Sequence, residues 1–434
     1  MKKYFIYFAN TILKSELLKN ASILISGTIL AQLISILLQP FLRRFFLPES
    51  FGLFSVYLSI VGILLAISTF RYDDAIVLPS KDKESANVLA LSIFFSIVIN
   101  SILFIVIALW HDSIASFLNL PKDLSGKVLY LIPLSVFFYG TYQSFNYWLI
   151  RKKRYVAVSA NKLTRRGAEG VAQVSFAFLR NPKGLVFGDL IGQFTNVIVV
   201  VFQSVRNGFS SRDISFTKIS YVAKKYSEFP KFNLIPSVMS TCSFLLPPIF
   251  INRFYSAEYT GYFDLSKLLL SIPLALIANS ISNVLLQRIA EKFQKQQSIL
   301  SDIKPILLMV ISVIVAEVVV IQLYGVTLFK LFFGNQWGFS GEISKLLVWS
   351  FALNFLVSSF SCIFISMRKI KLYSLWQTIY FALILSMIFF KGLAFKDFLL
   401  IYVLVEVFSY LLLIILMFFL IRKYEVTLRS VLKD

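Results

Sequence analysis

Twelve long apolar runs follow one another along this chain, and no stretch between them exceeds about 30 residues. A run of about 20 apolar residues is the length that crosses a bilayer as a helix. Inside hydrocarbon, only structures that satisfy their backbone hydrogen bonds internally are tolerated. The chain is therefore expected to be an all-α integral membrane protein of about twelve transmembrane helices. Composition agrees, with 58% hydrophobic residues, 15% charged residues and a mean hydropathy of +0.77. A soluble domain carries about 25% charged residues, so a soluble enzyme, a disordered chain, a coiled coil and a disulfide scaffold are excluded.

The spans read as 20–42, 51–72, 85–110, 125–150, 155–180, 184–206, 229–254, 259–288, 303–329, 342–367, 371–391 and 396–421. The fifth is the weakest by hydropathy, because Lys162, Arg165 and Arg166 fall inside it. Residues 1–19 are basic and aromatic and read as an interfacial segment lying on the membrane. No cleavable signal is expected, because the first apolar run, Ala21 to Leu38, is too long for a signal core and no A-x-A-like site follows it.

Lys and Arg set the orientation of such a chain. With the N-terminus inside, the inner segments hold 28 of them and the outer segments 9. Both termini are expected to be cytoplasmic, with 111–123 and 330–341 facing outward. The net charge of +21 thus orients a membrane protein, and no nucleic-acid partner is expected.

Other chemistries lack their residues. Cys242 and Cys362 lie in apolar stretches and read as buried filler. His111 is the single histidine, which excludes histidine-based triads and zinc sites. No G-x-G-x-x-G or G-x-x-x-x-G-K-[ST] phosphate loop occurs. No catalytic residue, metal or cofactor is expected, and any driving force is an ion gradient or the gradient of the substrate itself.

The chain also repeats itself. Residues 44–54, RFFLPESFGLF, align without gaps on 253–263, RFYSAEYTGYF. Arg, Phe, Glu, Gly and Phe coincide at 44/253, 45/254, 49/258, 52/261 and 54/263. Both copies sit at the turn after the first span of a six-span half. Six is even, so the halves enter the membrane in the same sense, as parallel transporter repeats do. The expected organisation is an N-lobe over 20–206, a cytoplasmic linker over 207–228, a C-lobe over 229–421 and a cytoplasmic tail over 422–434. Two parallel six-helix lobes facing each other make a cleft suited to alternating access. Arg44 and Arg253 are then a symmetry-related pair near its outer mouth, or two interface anchors.

Charges at a helix centre cost about 2.5–3.5 kcal/mol on insertion scales, so they should face a wet cavity or a partner. In the fifth span Lys162, Arg166, Glu169 and Gln173 recur at helical spacing, with Asn161 and Arg165 beside them. This stripe reads as a cationic cavity face, or as a helix end with snorkelling side chains. In the sixth span Asp189, Gln193 and Asn196 share a face, beside a Gly184, Gly188, Gly192 packing stripe. Asp189 is a cavity residue or a partner for the basic stripe. Asp264 and Lys267 are spaced for an intrahelical pair, structural or gating. Glu317 and Glu406 are lone acids in very apolar spans, either proton- or cation-linked sites or polar contacts between helices. Arg71, Asp73 and Asp74 at the inner end of the second span form a local ion pair or a cytoplasmic gate. The excess of cationic groups suggests an anionic substrate, and arginine suits phosphate through its planar fork.

Residues 22–90 carry a recognisable pattern. It runs through Gly27–Gln32 (GTILAQ), Pro40–Arg44 (PFLRR), Pro48–Gly52 (PESFG), Arg71–Pro79 (RYDDAIVLP) and Lys81-Asp82. This resembles the Wzx-type polysaccharide flippases of the multidrug/oligosaccharidyl-lipid/polysaccharide exporter superfamily. The family commonly has Glu after the Arg-Tyr, where this chain has Asp73, the same charge with a shorter reach. The resemblance implies two six-helix lobes in a V shape around a cationic cavity. It also implies transfer of an undecaprenyl-pyrophosphate-linked oligosaccharide from the cytoplasmic to the periplasmic leaflet of the bacterial inner membrane, for O-antigen, capsule or exopolysaccharide. Membrane lipids, a polysaccharide polymerase, a chain-length regulator and proton or sodium coupling are the partners it brings with it. Two rival readings are a multidrug/cation antiporter of the same superfamily, which the basic stripe opposes, and a membrane polymerase or ligase, which would need a large outward loop. A purely structural scaffold is disfavoured by the placement of the charges.

Overall fold

The structure, a computed structural model, describes residues 16–120 and 122–431, and the side chains of 22–120 and 128–428. Residues 1–15 of the expected interfacial segment lie outside the described residues. The main helices are α1 (Glu16–Phe45), α2 (Pro48–Ser68), α3 (Asp82–Phe117), α4 (Lys122–Arg151), α5 (Tyr155–Phe178), α6 (Gly184–Arg206) and the short α7 (Phe216–Lys225). They continue with α8 (Leu234–Phe254), α9 (Ala257–Gln294), α10 (Leu300–Phe333), α11 (Gly338–Phe360), the short α12 (Cys362–Ser366), α13 (Ile370–Ser386) and α14 (Phe395–Val431). No strand occurs among the described residues.

Each of the twelve expected spans coincides with a helix, the tenth being shared by α11 and α12. Ten of these helical segments are long and apolar enough to cross a membrane. The other two are α4 and α5, which carry the polar faces described below. The protein is a multi-pass membrane protein.

Local chemistry sets the helix boundaries. Pro48 opens α2 at a position whose backbone donor has no helical partner. Ser256 caps α9, its hydroxyl accepting from the Tyr259 amide at 3.2 Å. Asn119, Lys153, Arg180, Gln296 and Arg368 take the left-handed conformation just past helix ends and turn the chain there.

The chain divides into two compact units. One comprises the residues up to Ser50 together with Val56–Thr241, the other Phe51–Ser55 and the chain from Cys242 onward. The division falls inside α8, beyond the expected linker 207–228. In the first unit α5 packs along α6 and α1, and α3 along α4. An apolar core of this unit gathers Ile76, Leu89, Trp148, Leu149 and Val200. In the second unit α11 packs against α9, α10 and α14, and Phe263, Leu285, Leu347, Phe355 and Leu413 are among its core residues.

The internal repeat extends to backbone register. α1 ends at Phe45 and α8 at Phe254, the N-caps are Leu47 and Ser256, and the following helices begin at Pro48 and Ala257. Burial repeats too. Arg43 and Asn252 are both fully buried, whereas their neighbours Arg44 and Arg253 are both exposed.

Candidate functional site

The most polar interior lies in the first unit, where α4, α5 and α6 meet. α6 presents small residues to α5, and the close approach requires them. A Cβ on Gly192 would lie 2.7 Å from the Glu169 Cβ and 3.0 Å from the Arg165 carbonyl oxygen. One on Gly188 would meet the backbone nitrogen of Gln173 at 3.0 Å. The glycine stripe is thus a packing face, and what it packs against is the polar stripe of α5. Glu169 and Gln173 are buried in that seam as a result.

The charges of the stripe find different partners. Arg165 donates through Nη2 to Asp189 Oδ1 at 3.2 Å and to the Tyr139 hydroxyl. Its guanidinium also lies over the Tyr139 ring, 4.5 Å from the centroid. Asp189 is 1% exposed and accepts additionally from Gln193. Arg166 donates through the one nitrogen Nη1 to both carboxylate oxygens of Glu169, at 2.9 and 3.1 Å. Gln173 links Glu169, at 3.5 Å, to the Leu185 carbonyl at 3.2 Å. Lys162 donates to the Thr28 hydroxyl of α1 at 2.7 Å. Arg165 and Arg166 thus face carboxylates, whereas Lys162 is held by a neutral group. The Arg166 side chain keeps 36% of its surface exposed against 17% for Arg165.

Several neighbouring polar atoms have no hydrogen-bond partner among the described residues. They include both side-chain polar atoms of the fully buried Asn161, Arg165 Nε, Gln193 Oε1 and Asn196 Oδ1. Buried polar atoms are normally satisfied by protein or ordered water. Tyr139 and Tyr142 of α4 belong to the same interior, Tyr142 being hydrogen-bonded to Asn196, and the sequence by itself singles out neither. Their spacing of three residues, which places them on one helical face, is the signal that could have found them.

Arg71, Asp73 and Asp74 form a separate cluster at the end of α2. Arg71 adopts the left-handed conformation and pairs with Asp74 at 2.6 Å. Asp74 also accepts from Tyr147 of α4 at 2.7 Å. Asp73 is fully buried and accepts from Thr69 and from Gln143 of α4, both at 2.6 Å. Burial pushes its carboxyl above the ordinary value, against the pull of the Thr69 hydrogen bond. The segment that follows is clamped to α4, with Arg151 donating to the carbonyls of Pro79 and Ser80 and pairing with Asp82 at 3.1 Å.

In the second unit Glu406 of α14 accepts from Tyr380 of α13 at 3.1 Å. The Tyr380 and Tyr410 hydroxyls lie 3.2 Å apart, and Asn354 of α11 donates to Tyr410 at 2.7 Å. Of this network the sequence singles out only Glu406, since Tyr380 and Tyr410 in apolar spans read as filling. Lys267 of α9 is directed to Phe244, its ammonium 2.5 Å from the carbonyl oxygen and 3.5 Å from the ring centroid. Asp264 is half-buried on the same helix. Glu317 stands on α10 with its Oε2 lacking a partner among the described residues. The sites expected from sequence therefore fall into distinct groups, and each described group lies within one unit. No cluster of metal-ligating side chains occurs among the described residues.

Residues 41–341 match the model of a family described as polysaccharide biosynthesis protein. No curated protein matches the chain. Among solved structures, the chain is similar to an inward-facing multidrug resistance MATE family transporter of the MOP superfamily, with a TM-score of 0.70 at 13% identity over 90% of this chain and 94% of that one. It is similar to the lipid II flippase MurJ in an inward closed conformation, with a TM-score of 0.69 at 16% identity over 94% and 93%. It is also similar to a MOP superfamily transporter from Pyrococcus furiosus, with a TM-score of 0.56 at 14% identity over 94% and 95%. At these identities the structural likeness establishes the fold. The chain belongs to the polysaccharide biosynthesis protein family and has the fold of the multidrug/oligosaccharidyl-lipid/polysaccharide exporter superfamily.

Proposed function

We propose that the protein is a flippase for undecaprenyl-pyrophosphate-linked oligosaccharides, working in the bacterial inner membrane by alternating access. The observation that carries this reading is the α5 stripe. Lys162, Arg165 and Arg166 stand on a membrane helix beside the amide of Asn161 and the amide oxygens of Gln193 and Asn196, which lack partners among the described residues. A pyrophosphate crossing hydrocarbon without compensating charge would be prohibitively costly. Fixed cations along its path lower that cost, and amide atoms left without partners suit the hydroxyls of sugars.

In this reading the three cations divide their roles. Arg165, tied to Asp189 and Tyr139, holds the helices in place. Lys162 and the more exposed Arg166 meet the anionic headgroup, and Glu169 keeps the Arg166 contact weak enough for release. Arg44, Arg253, Arg71 and Lys267 are further cations of the transport path, while Asp73, Asp74, Asp264, Glu317 and Glu406 serve as gating or coupling acids. Family membership supports a role in polysaccharide synthesis, and the likeness to a lipid II flippase supports a lipid-linked cargo.

The test is reconstitution of the purified protein in proteoliposomes with a defined lipid-linked glycan on one leaflet. Protein-dependent appearance of the glycan on the other leaflet is the expected result. Export of a cationic dye without glycan transfer would establish the antiporter reading instead.

A further inference from the structure

The connection after α6 carries a surface that the transport reading does not use. α7, Phe216–Lys225, packs on the first unit through Val222, Ile219 and Ala223. Its other side is open, with Phe216 87% exposed and Tyr221 58% exposed. Lys218 and Lys224 are exposed as well and flank Tyr221 three residues to either side, on one helical face. Just beyond the helix, Lys231 is exposed and Phe232 is 69% exposed. Large aromatic rings held in water are unfavourable, and lysines interleaved with them are the pattern of a helix lying in a membrane interface.

The helix is held in one attitude. Glu84 of α3 accepts from Lys225 at 2.6 Å and from Tyr226 at 2.9 Å. That hydrogen bond also raises the Lys225 ammonium above its ordinary value. Asn87 donates to the Asp213 carbonyl at 3.0 Å and accepts from the Ser215 amide at 2.9 Å. Lys225 is thereby neutralised by Glu84, while the lysines of the open side have no carboxylate partner among the described residues. The open face is thus presented in a fixed direction with its positive charge uncompensated.

We infer that this face binds the membrane surface, with Phe216 and Tyr221 entering the boundary between headgroups and acyl chains and Lys218 and Lys224 holding the phosphates of anionic phospholipids. Charge complementarity favours an anionic bilayer, and the exposed rings favour a surface with an apolar layer beneath its charges. An acidic soluble protein would satisfy the lysines alone.

The test uses the full-length protein carrying Phe216→Cys, labelled with bimane and reconstituted in phosphatidylcholine vesicles with increasing phosphatidylglycerol. Cys242 and Cys362 are buried, and the labelled unmutated chain gives the background. The expected result is a blue shift and loss of bimane emission to brominated acyl chains, both rising with the phosphatidylglycerol fraction. Lys218→Gln and Lys224→Gln should each lower the apparent affinity for phosphatidylglycerol about fivefold, from about 1 kcal/mol per lysine near such a surface. A bimane open to aqueous iodide at every lipid composition, as an acidic protein partner would leave it, overturns the inference. Quenching that is equal in the two lipids overturns it as well.

Discussion

Arg165 of α5 and Asp189 of α6 meet at 3.2 Å, with the Tyr139 hydroxyl of α4 completing the contact. Three helices of the first unit are thereby joined through one guanidinium. Removing one partner of a buried pair leaves an uncompensated charge, which costs about 3–5 kcal/mol. Arg165→Ala should therefore lower the thermal unfolding temperature strongly in detergent, and Arg165→Leu with Asp189→Leu should recover much of the loss. Equal destabilisation in the single and double variants would show that the pair is not what holds the seam.

Lys162 and Arg166 should behave differently. Neither fills a sealed pocket, so Lys162→Ala and Arg166→Ala should leave protein levels near normal while reducing flipping strongly. Arg166→Lys should recover only part of the activity, because the charge is kept and the planar fork that matches a phosphate is lost. Complementation of surface polysaccharide in a deletion strain reads this out. Near-normal activity in both alanine variants would remove the stripe as the headgroup path.

The helix seam makes a steric prediction. Gly192→Val drives a branched side chain into Glu169 and the Arg165 carbonyl, and should abolish monodisperse folded protein by size-exclusion chromatography. Gly167 has open space where its Cβ would stand. Gly167→Ala should be tolerated and raise stability by about 0.8–1.0 kcal/mol through helix propensity.

The Arg71–Asp74 contact at 2.6 Å predicts the outcome of a charge swap. Arg71→Asp alone places three acids together and should impair transport. Adding Asp74→Arg should restore part of it. No recovery at normal membrane levels would count against the pair as the reason for the loss.

Orientation is tested by single cysteines at the exposed Ser113 and Asn335. Both should react with an impermeant thiol reagent added to intact cells stripped of their outer membrane. Labelling of either only after lysis would overturn the orientation drawn from the distribution of Lys and Arg.

Hydropathy and period determined much of this protein by themselves. Crossing hydrocarbon demands long apolar helices, so the spans stand out as unbroken runs, and the repeat shows because Arg, Phe, Glu, Gly and Phe recur in one register across the turns after Arg44 and Arg253. The helical spacing of Lys162, Arg166, Glu169 and Gln173 likewise placed them on one face. Only the tertiary structure decided what that face meets. Whether Arg165 turns to its own helix or to Asp189 depends on the rotation of α5 against α6, which the glycines at 188 and 192 set by close approach. Tyr139 shares a polar face of α4 that its spacing marks, but that this face meets the same guanidinium is set by the packing of α4 on α5. Tyr380 and Tyr410 gather around Glu406 and Asn354 in the same way. Periodicity is a property of one helix, and a hydrogen-bonded core is a property of several packed together.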